Sequence, residues 1–223
     1  MRAKPAIIPI MKKKLIIWDW NGTLIEDVQL TYGIAAAMQA ERALPKFRDL
    51  EHYRATVCFP IIEYYRRMGY TFQDESFEDV AADFVARYEA AWRLLGLRVG
   101  ATSALQLARK AGLRQSVLSA SRYTRLKPQV EFFGVARYVG EILGAQDDLA
   151  HGKAYLAAQY MSENRLKPQE VIFIGDTDHD FAVANSVGCD CILLDGGHQS
   201  RDILEKCGVP VCENPFDAVK SLL

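Results

Sequence analysis

The chain has 223 residues, half of them hydrophobic and a quarter charged, which fits one large folded domain or a domain carrying a smaller insert. Its net charge of −1 gives no basic footprint for nucleic acid, and no apolar run approaches the roughly 18 residues of a membrane span. The five cysteines are odd in number and form no Cys-x-x-Cys pair, which argues against a zinc or disulfide framework and for reduced thiols in a cytoplasmic setting.

Residues 1–13 read as an N-terminal tail. Met1–Ile10 is apolar but short and broken by Pro5 and Pro9, and Met11 offers an alternative start. Lys12–Lys14 read as a solvated entry to the first strand, Leu15–Trp18. From about Glu26 to Leu97 the pattern is helical. Tyr32–Arg42 is alanine-rich, and Ile61–Met68 and Phe77–Leu95 carry apolar residues at three-and-four spacing. Beyond that the period alternates. A helix over Ala101–Ala111 stops at Gly112, and Ser116–Leu118 is a buried strand. A helix closes through Val130–Phe133, and Glu141–Leu143 is a strand. Lys153–Glu163 is helical, Val171–Ile174 a strand, Asp180–Val187 a helix and Cys191–Leu194 a strand. Val209–Val211 is a weak edge strand and Phe216–Leu223 a closing helix. The alternation predicts an α/β fold, a doubly wound parallel sheet with helices on both faces. Its core is drawn from 14–25 and 98–223, and a helical cap domain, 26–97, is inserted after the first strand.

Four polar elements lie where predicted strands end or helices begin: Asp19-Trp20-Asn21-Gly22-Thr23, Ser119-Ala120-Ser121, Lys153, and Gly175-Asp176-Thr177-Asp178-His179-Asp180. Carboxyl ends of parallel strands share one edge of a sheet, so the four can converge. Asp19 and Asp176 suit a shared Mg²⁺, which takes one or two carboxylates and lets a negative phosphate approach a negative nucleophile. Ser119 can donate to a phosphate oxygen, Lys153 can neutralise charge, and Gly22 allows a tight turn that offers N–H groups to phosphate.

These motifs, in order, resemble the haloacid dehalogenase superfamily: Asp-x-x-Gly-Thr-Leu, Ser/Thr after a strand, Lys, then Gly-Asp-x-x-x-Asp. The helical insert is similar to the C1 cap of the phosphoglycolate phosphatase and β-phosphoglucomutase subgroup. The resemblance implies that Asp19 forms an aspartyl-phosphate. It implies that Asp19, the backbone carbonyl of Asn21 and Asp176 hold Mg²⁺, and that Asp180 supports the metal or Lys153 from behind. Asn21, Gly22, Thr23, Ser119, Ala120 and Lys153 would contact the phosphate, and Arg54, where related caps read the substrate, a second anionic group. The substrate would be a small phosphorylated metabolite, with no nucleic-acid or membrane partner and a monomeric or dimeric chain.

Position 21 departs from the pattern. Related phosphatases carry there an Asp that protonates the leaving oxygen and then activates water. Asn has no titratable proton, and loss of a general acid/base typically costs about 10²–10⁴-fold. The sequence therefore predicts slow turnover of alkyl phosphates and better turnover of aryl or acyl phosphates, with His179 the nearest substitute acid. Two alternatives stand beside that: a catalytically weak phosphate-binding or partner-binding protein, and a phosphotransferase or mutase. Trp18 is expected in the core and Trp20 in packing; His151 and His198 receive no role.

Overall fold

The computed structural model describes residues 13–145 and 152–223. Residues 1–12 of the expected tail, with the alternative start at Met11 and Lys12, and His151 lie outside the described residues. Six parallel strands form the sheet: β1 (Leu15–Trp18), β2 (Arg114–Arg122), β3 (Glu141–Ala145), β4 (Val171–Gly175), β5 (Asp190–Leu194) and β6 (Val211–Cys212). Their spatial order is β3-β2-β1-β4-β5-β6. The chain winds outward from β1 through β2 to β3, then crosses to the other side of β1 to lay down β4. The strand order reverses between β1 and β4, and such a switch point opens a crevice at the carboxyl ends of its two strands.

Side-chain alternation along the strands builds two cores. Ile16 and Trp18 face one layer with Val117, Ile174 and Leu194, covered by α5 (Ala101–Lys110), α6 (Tyr123–Phe132) and α10 (Pro215–Lys220). Leu15 and Ile17 face the other with Leu118, Phe173 and Leu193, covered by α7 (Lys153–Glu163), α8 (Asp178–Ser186) and α9 (Arg201–Glu205). Trp20 is fully buried in the first layer, and its indole N–H donates to Gln129 Oε1 at 2.9 Å. Between β1 and α5 lie α1 (Val28–Glu41), α2 (Leu50–Thr56), α3 (Ile61–Arg67) and α4 (Phe77–Ala91), which bury an aromatic-rich cluster of their own, including Tyr53, Tyr64, Tyr65, Tyr88 and Trp92. Among the described residues no helix is long and apolar enough to cross a membrane.

Several boundaries differ from the sequence expectation. Strand β2 runs well past Leu118, through an irregularity in its pairing with β3 between Leu118 and Arg122. The helix expected to reach Leu95 ends at Ala91 in a 3₁₀ turn, Trp92–Leu94. Helices α2 and α9 are too short to show a period; α2 is set by Asp49, whose carboxylate accepts the His52 N–H at 2.7 Å. Lys13 is not solvated. Its ammonium is buried, pairs with Asp190 and donates to the carbonyls of Gln169 (2.8 Å) and Val171 (3.2 Å).

Candidate active site at the switch point

Asp19 extends the ladder one residue beyond β1, its N–H donating to Ile174 O at 2.9 Å. The chain then turns sharply, and the N–H groups of Thr23, Leu24 and Ile25 all point to the Trp20 carbonyl, at 3.0–3.3 Å. Gly22, at φ +67°, makes the turn, and a Cβ there would run into the Asp176 carboxylate. The turn therefore packs directly against the loop after β4.

Lys153 opens α7 and points inward, buried. Its ammonium donates to Asp19 Oδ1 at 2.5 Å and to Asp180 Oδ1. The other oxygen of Asp180 accepts the N–H groups of Asp176 (3.1 Å) and Thr177 (3.0 Å) and the Thr177 hydroxyl (2.7 Å). Burial opposes charge on Asp180, but the Lys153 ammonium and these bonds outweigh it and hold the carboxyl below the usual range. Burial likewise opposes charge on Lys153, and the carboxylates of Asp180 and Asp19 overcome it, raising the ammonium pKa. Asp180 thus anchors the lysine that faces Asp19.

Asp176 is placed differently. It is fully buried, and its hydrogen-bond donors among the described residues are neutral: the Thr23 hydroxyl (2.9 Å) and the His198 backbone N–H (2.6 Å). Burial raises its pKa, and burial raises that of Asp19 despite the opposing Lys153 charge. Carboxylate oxygens of Asp19, Asp176 and Asp180 all lie within 4.8 Å of one another. With Asp180 committed to Lys153 and Thr177, the pair left to share a cation is Asp19 and Asp176. Two closely spaced carboxylates with raised pKa, Asp176 buried and Asp19 partly so, are the donor set that a hard divalent ion such as Mg²⁺ fits.

Ser119 is buried within β2, where its pairing with β3 becomes irregular. Its oxygen accepts the Ser121 N–H at 3.1 Å, which leaves its own hydrogen to donate. Ser119, Ala120, Asp19, Asn21, Lys153 and Asp176 line one cavity of about 390 Å³, within the range of small-ligand pockets. Thr23 is fully buried behind it, on Asp176.

Asn21 is clamped. Its amide N–H groups donate to Asp27 Oδ2 at 2.6 Å and to the Tyr88 hydroxyl at 3.0 Å, while Ser121 Oγ reaches its oxygen at 3.4 Å. Asp27 also accepts the Gly22 N–H (2.8 Å), the Tyr88 hydroxyl (2.9 Å) and His198 Nε2 (3.1 Å). Burial works against its charge, and the His198 charge and these bonds reverse that, lowering its pKa. Burial likewise works against charge on His198, and Asp27 lifts its pKa to about 9, so both ring nitrogens carry protons at neutral pH and Nδ1 donates to the Tyr53 hydroxyl at 2.8 Å.

Asp27, Tyr53, Tyr88 and His198 were not among the residues the sequence singled out. Asp27 and His198 are 171 positions apart, so no local spacing joins them. One signal was present: Gly196-Gly197-His198 follows β5 at the same sheet edge as Asp19 and Asp176, and a Cβ on Gly197 would strike the Asp176 carboxylate. Arg54 does not reach the cavity. Its guanidinium donates to the carbonyls of Gly197 (2.9 Å) and Gly196 (2.8 Å) and pairs with Glu51 at 2.5 Å, so the second-anion role expected of it fails: the backbone has taken its donors. His179 lines the cavity and stacks on Phe59 with ring centroids 4.5 Å apart; burial and the Lys153 charge lower its pKa, which makes it a poor proton donor at neutral pH.

The chain and its fold are similar to those of known proteins. The chain is 26% identical over 201 residues to the tyrosine-protein kinase PtkA of Mycobacterium tuberculosis, covering 89% of this chain and 67% of that one. It is 24% identical over 214 residues to a phosphoglycolate phosphatase of Pseudomonas fluorescens, covering 90% and 76%. The fold is similar to that of a haloacid dehalogenase-like hydrolase from Streptococcus pneumoniae, with a TM-score of 0.80 at 17% identity over 95% of this chain and 99% of that one. A family model described as haloacid dehalogenase-like hydrolase matches residues 16–194, most of the chain including every strand that carries the site. The chain belongs to the haloacid dehalogenase-like hydrolase family.

Proposed function

We propose that this protein is a divalent-cation-dependent phosphomonoesterase in which Asp19 attacks the phosphorus of a small phosphate ester. The observation that carries the reading is the buried Lys153 bound to both Asp19 and Asp180, with Asp176 beside them at the switch point. Phosphoryl transfer is also the chemistry common to the names of the relatives.

Asp19, Asp176 and the backbone carbonyl of Asn21 would hold Mg²⁺. Bound there, the ion neutralises phosphate charge and lets the anion meet a carboxylate. Lys153 orients Asp19 and offers its remaining proton to a phosphate oxygen, and Asp180 keeps that ammonium in place. Ser119 donates to a second oxygen; the N–H groups of Gly22, Thr23 and Ser121 are taken by Asp27, the Trp20 carbonyl and Ser119 Oγ, so the turn expected to offer them to phosphate supplies shape rather than donors. Asp19 displaces the alcohol to form an aspartyl-phosphate, which water then hydrolyses. Asn21 offers the leaving oxygen no proton, because its amide hydrogens are given to Asp27 and Tyr88.

The helical residues 26–97 act as a cap domain over a core of 14–25 and 98–223. In support, Tyr53, Tyr64 and Tyr88 line the same cavity as Asp19 from the other side. The test is turnover of p-nitrophenyl phosphate and acetyl phosphate. Activity present with Mg²⁺, absent with chelator and lost in Asp19→Ala supports the reading. Equal activity in Asp19→Ala, or none on either substrate, overturns it.

A further inference from the structure

Three features of the cavity, taken together, concern the part of the ester that leaves. The first is its wall. The face contributed by residues 26–97 is built from Tyr64, Tyr65, Phe84, Val85 and Tyr88, and carries no lysine or arginine; its charged lining residues are the acids Asp27 and Glu89. A carboxylate-bearing alcohol such as glycolate meets Glu89 on that side, and the cations that line the cavity, Lys153, Arg125 and His198, all come from the other. Arg54, the cation the sequence offered for this purpose, is turned to the Gly196 and Gly197 carbonyls.

The second is Tyr64. Its ring is 95% buried in that wall, and its hydroxyl has no hydrogen-bond partner among the described residues. The hydroxyl itself is closed off from the cavity, so at this position the wall presents the apolar ring.

The third is Asn21. With no acid beside the leaving oxygen, departure is easiest for an oxygen that is stable as an anion. A phenol, ionising near pH ~10, meets that demand far better than an alcohol, whose basicity is closer to that of water at about 16.

We infer that the substrate is an aromatic phosphate monoester, the phosphate on Asp19, Ser119 and Lys153 and the ring against Tyr64, Phe84 and Tyr88. The inference rests on the phosphomonoesterase reading above and adds to it the class of leaving group. Aromatic rings favour offset or edge contacts with other rings, and the wall already has both kinds: Phe84 lies flat to Tyr88 at 6.3 Å between centroids, and Tyr53 meets Tyr64 edge-on at 6.3 Å.

The test is steady-state kinetics with Mg²⁺ on acetyl phosphate, phenyl phosphate, benzyl phosphate and 2-phosphoglycolate. Benzyl phosphate and 2-phosphoglycolate both release an alkoxide, so their comparison isolates the wall. The KM for benzyl phosphate is expected to be at least about tenfold below that for 2-phosphoglycolate, the effect of burying a ring. Phenyl phosphate should have a higher kcat than benzyl phosphate. In Phe84→Ala the ratio of kcat/KM for benzyl over acetyl phosphate falls about tenfold. A KM for 2-phosphoglycolate equal to or below that for benzyl phosphate, or a benzyl-to-acetyl ratio unmoved in a folded Phe84→Ala, overturns the aromatic assignment while acetyl phosphate turnover leaves the phosphatase standing. Failure on acetyl phosphate as well removes both.

Discussion

Replacing Asn21 by Asp restores, on paper, the acid that related phosphatases carry. The structure makes the outcome less simple, because the Asn21 amide donates to the buried Asp27 carboxylate at 2.6 Å. Two full charges at that separation repel by about 6 kcal/mol at an effective dielectric constant near 20. The pair escapes by taking up one proton, as closely spaced carboxylates do. For a carboxyl of ordinary pKa, holding a proton at pH 7 costs about 4 kcal/mol. The new O–H···O⁻ bond returns roughly 1.5–3 kcal/mol. The net loss is about 1–3 kcal/mol, or a melting temperature roughly 3–8 °C lower for a chain of this size.

The sign with pH follows. The introduced group has a folded pKa above its unfolded value, so its proton is free of cost below about pH 4 and the destabilisation grows as pH rises from there toward the folded pKa. Thermal melts of Asn21→Asp, Asp27→Asn and the double variant, each at pH 5 and pH 8, measure it. The single Asn21→Asp variant should lose more against wild type at pH 8 than at pH 5, and the double variant should recover part of the loss as a coupling energy. The neutral carboxyl at position 21 is also the form a general acid needs, so turnover of an alkyl phosphate should rise at least about tenfold even as the fold weakens. An Asn21→Asp protein that melts with wild type at both pH values, with no coupling to Asp27, would refute the claim that this amide serves a charged carboxylate.

Other outcomes follow from the same geometry. Lys153→Met leaves Asp19 and Asp180 buried without their cation, so it should abolish turnover and cost about 3–5 kcal/mol in denaturant unfolding; an active or equally stable variant would contradict the burial described for Lys153. His198 has a folded pKa near 9, above its unfolded value, so its contribution is whole below about pH 6.5 and disappears as pH rises through 9. Metal-free wild type should therefore lose about 3 kcal/mol across that window, and His198→Gln should flatten the loss. A wild-type stability curve level from pH 6.5 to 9.5 would show that His198 is neutral.

Much of the fold was legible because β1 and β4 are short, wholly apolar runs ended by Asp19 and by Gly175-Asp176, and strand ends in a parallel sheet must share an edge. Lys153, which opens α7, was legible for the same reason, and Ser119 was read at the end of a predicted strand although β2 continues to Arg122. What escaped was anything decided by distant packing. Arg54 looks like an anion reader in sequence, yet loop 195–199 meets α2 and supplies carbonyls to it. His198 looks isolated until the helical residues bring Tyr53 against it and the turn after β1 brings Asp27. Asn21 reads as a missing acid by comparison with its family, whereas its neighbours use it as a donor. Short α2 and α9 carried too few residues to express a period.

Three glycines, 22, 175 and 197, press so closely on Asp176 and Asp180 that a methyl group at any of them would displace a carboxylate. The floor of the cavity is consequently locked: an added atom there alters the ion and phosphate seats before it alters anything else. The opposite wall has no such constraint, since Phe84, Val85 and Ile61 are partly exposed and change size without touching an acid. Laboratory selection for new esters should accumulate its successful changes on that wall, while the chemistry beneath stays as it is.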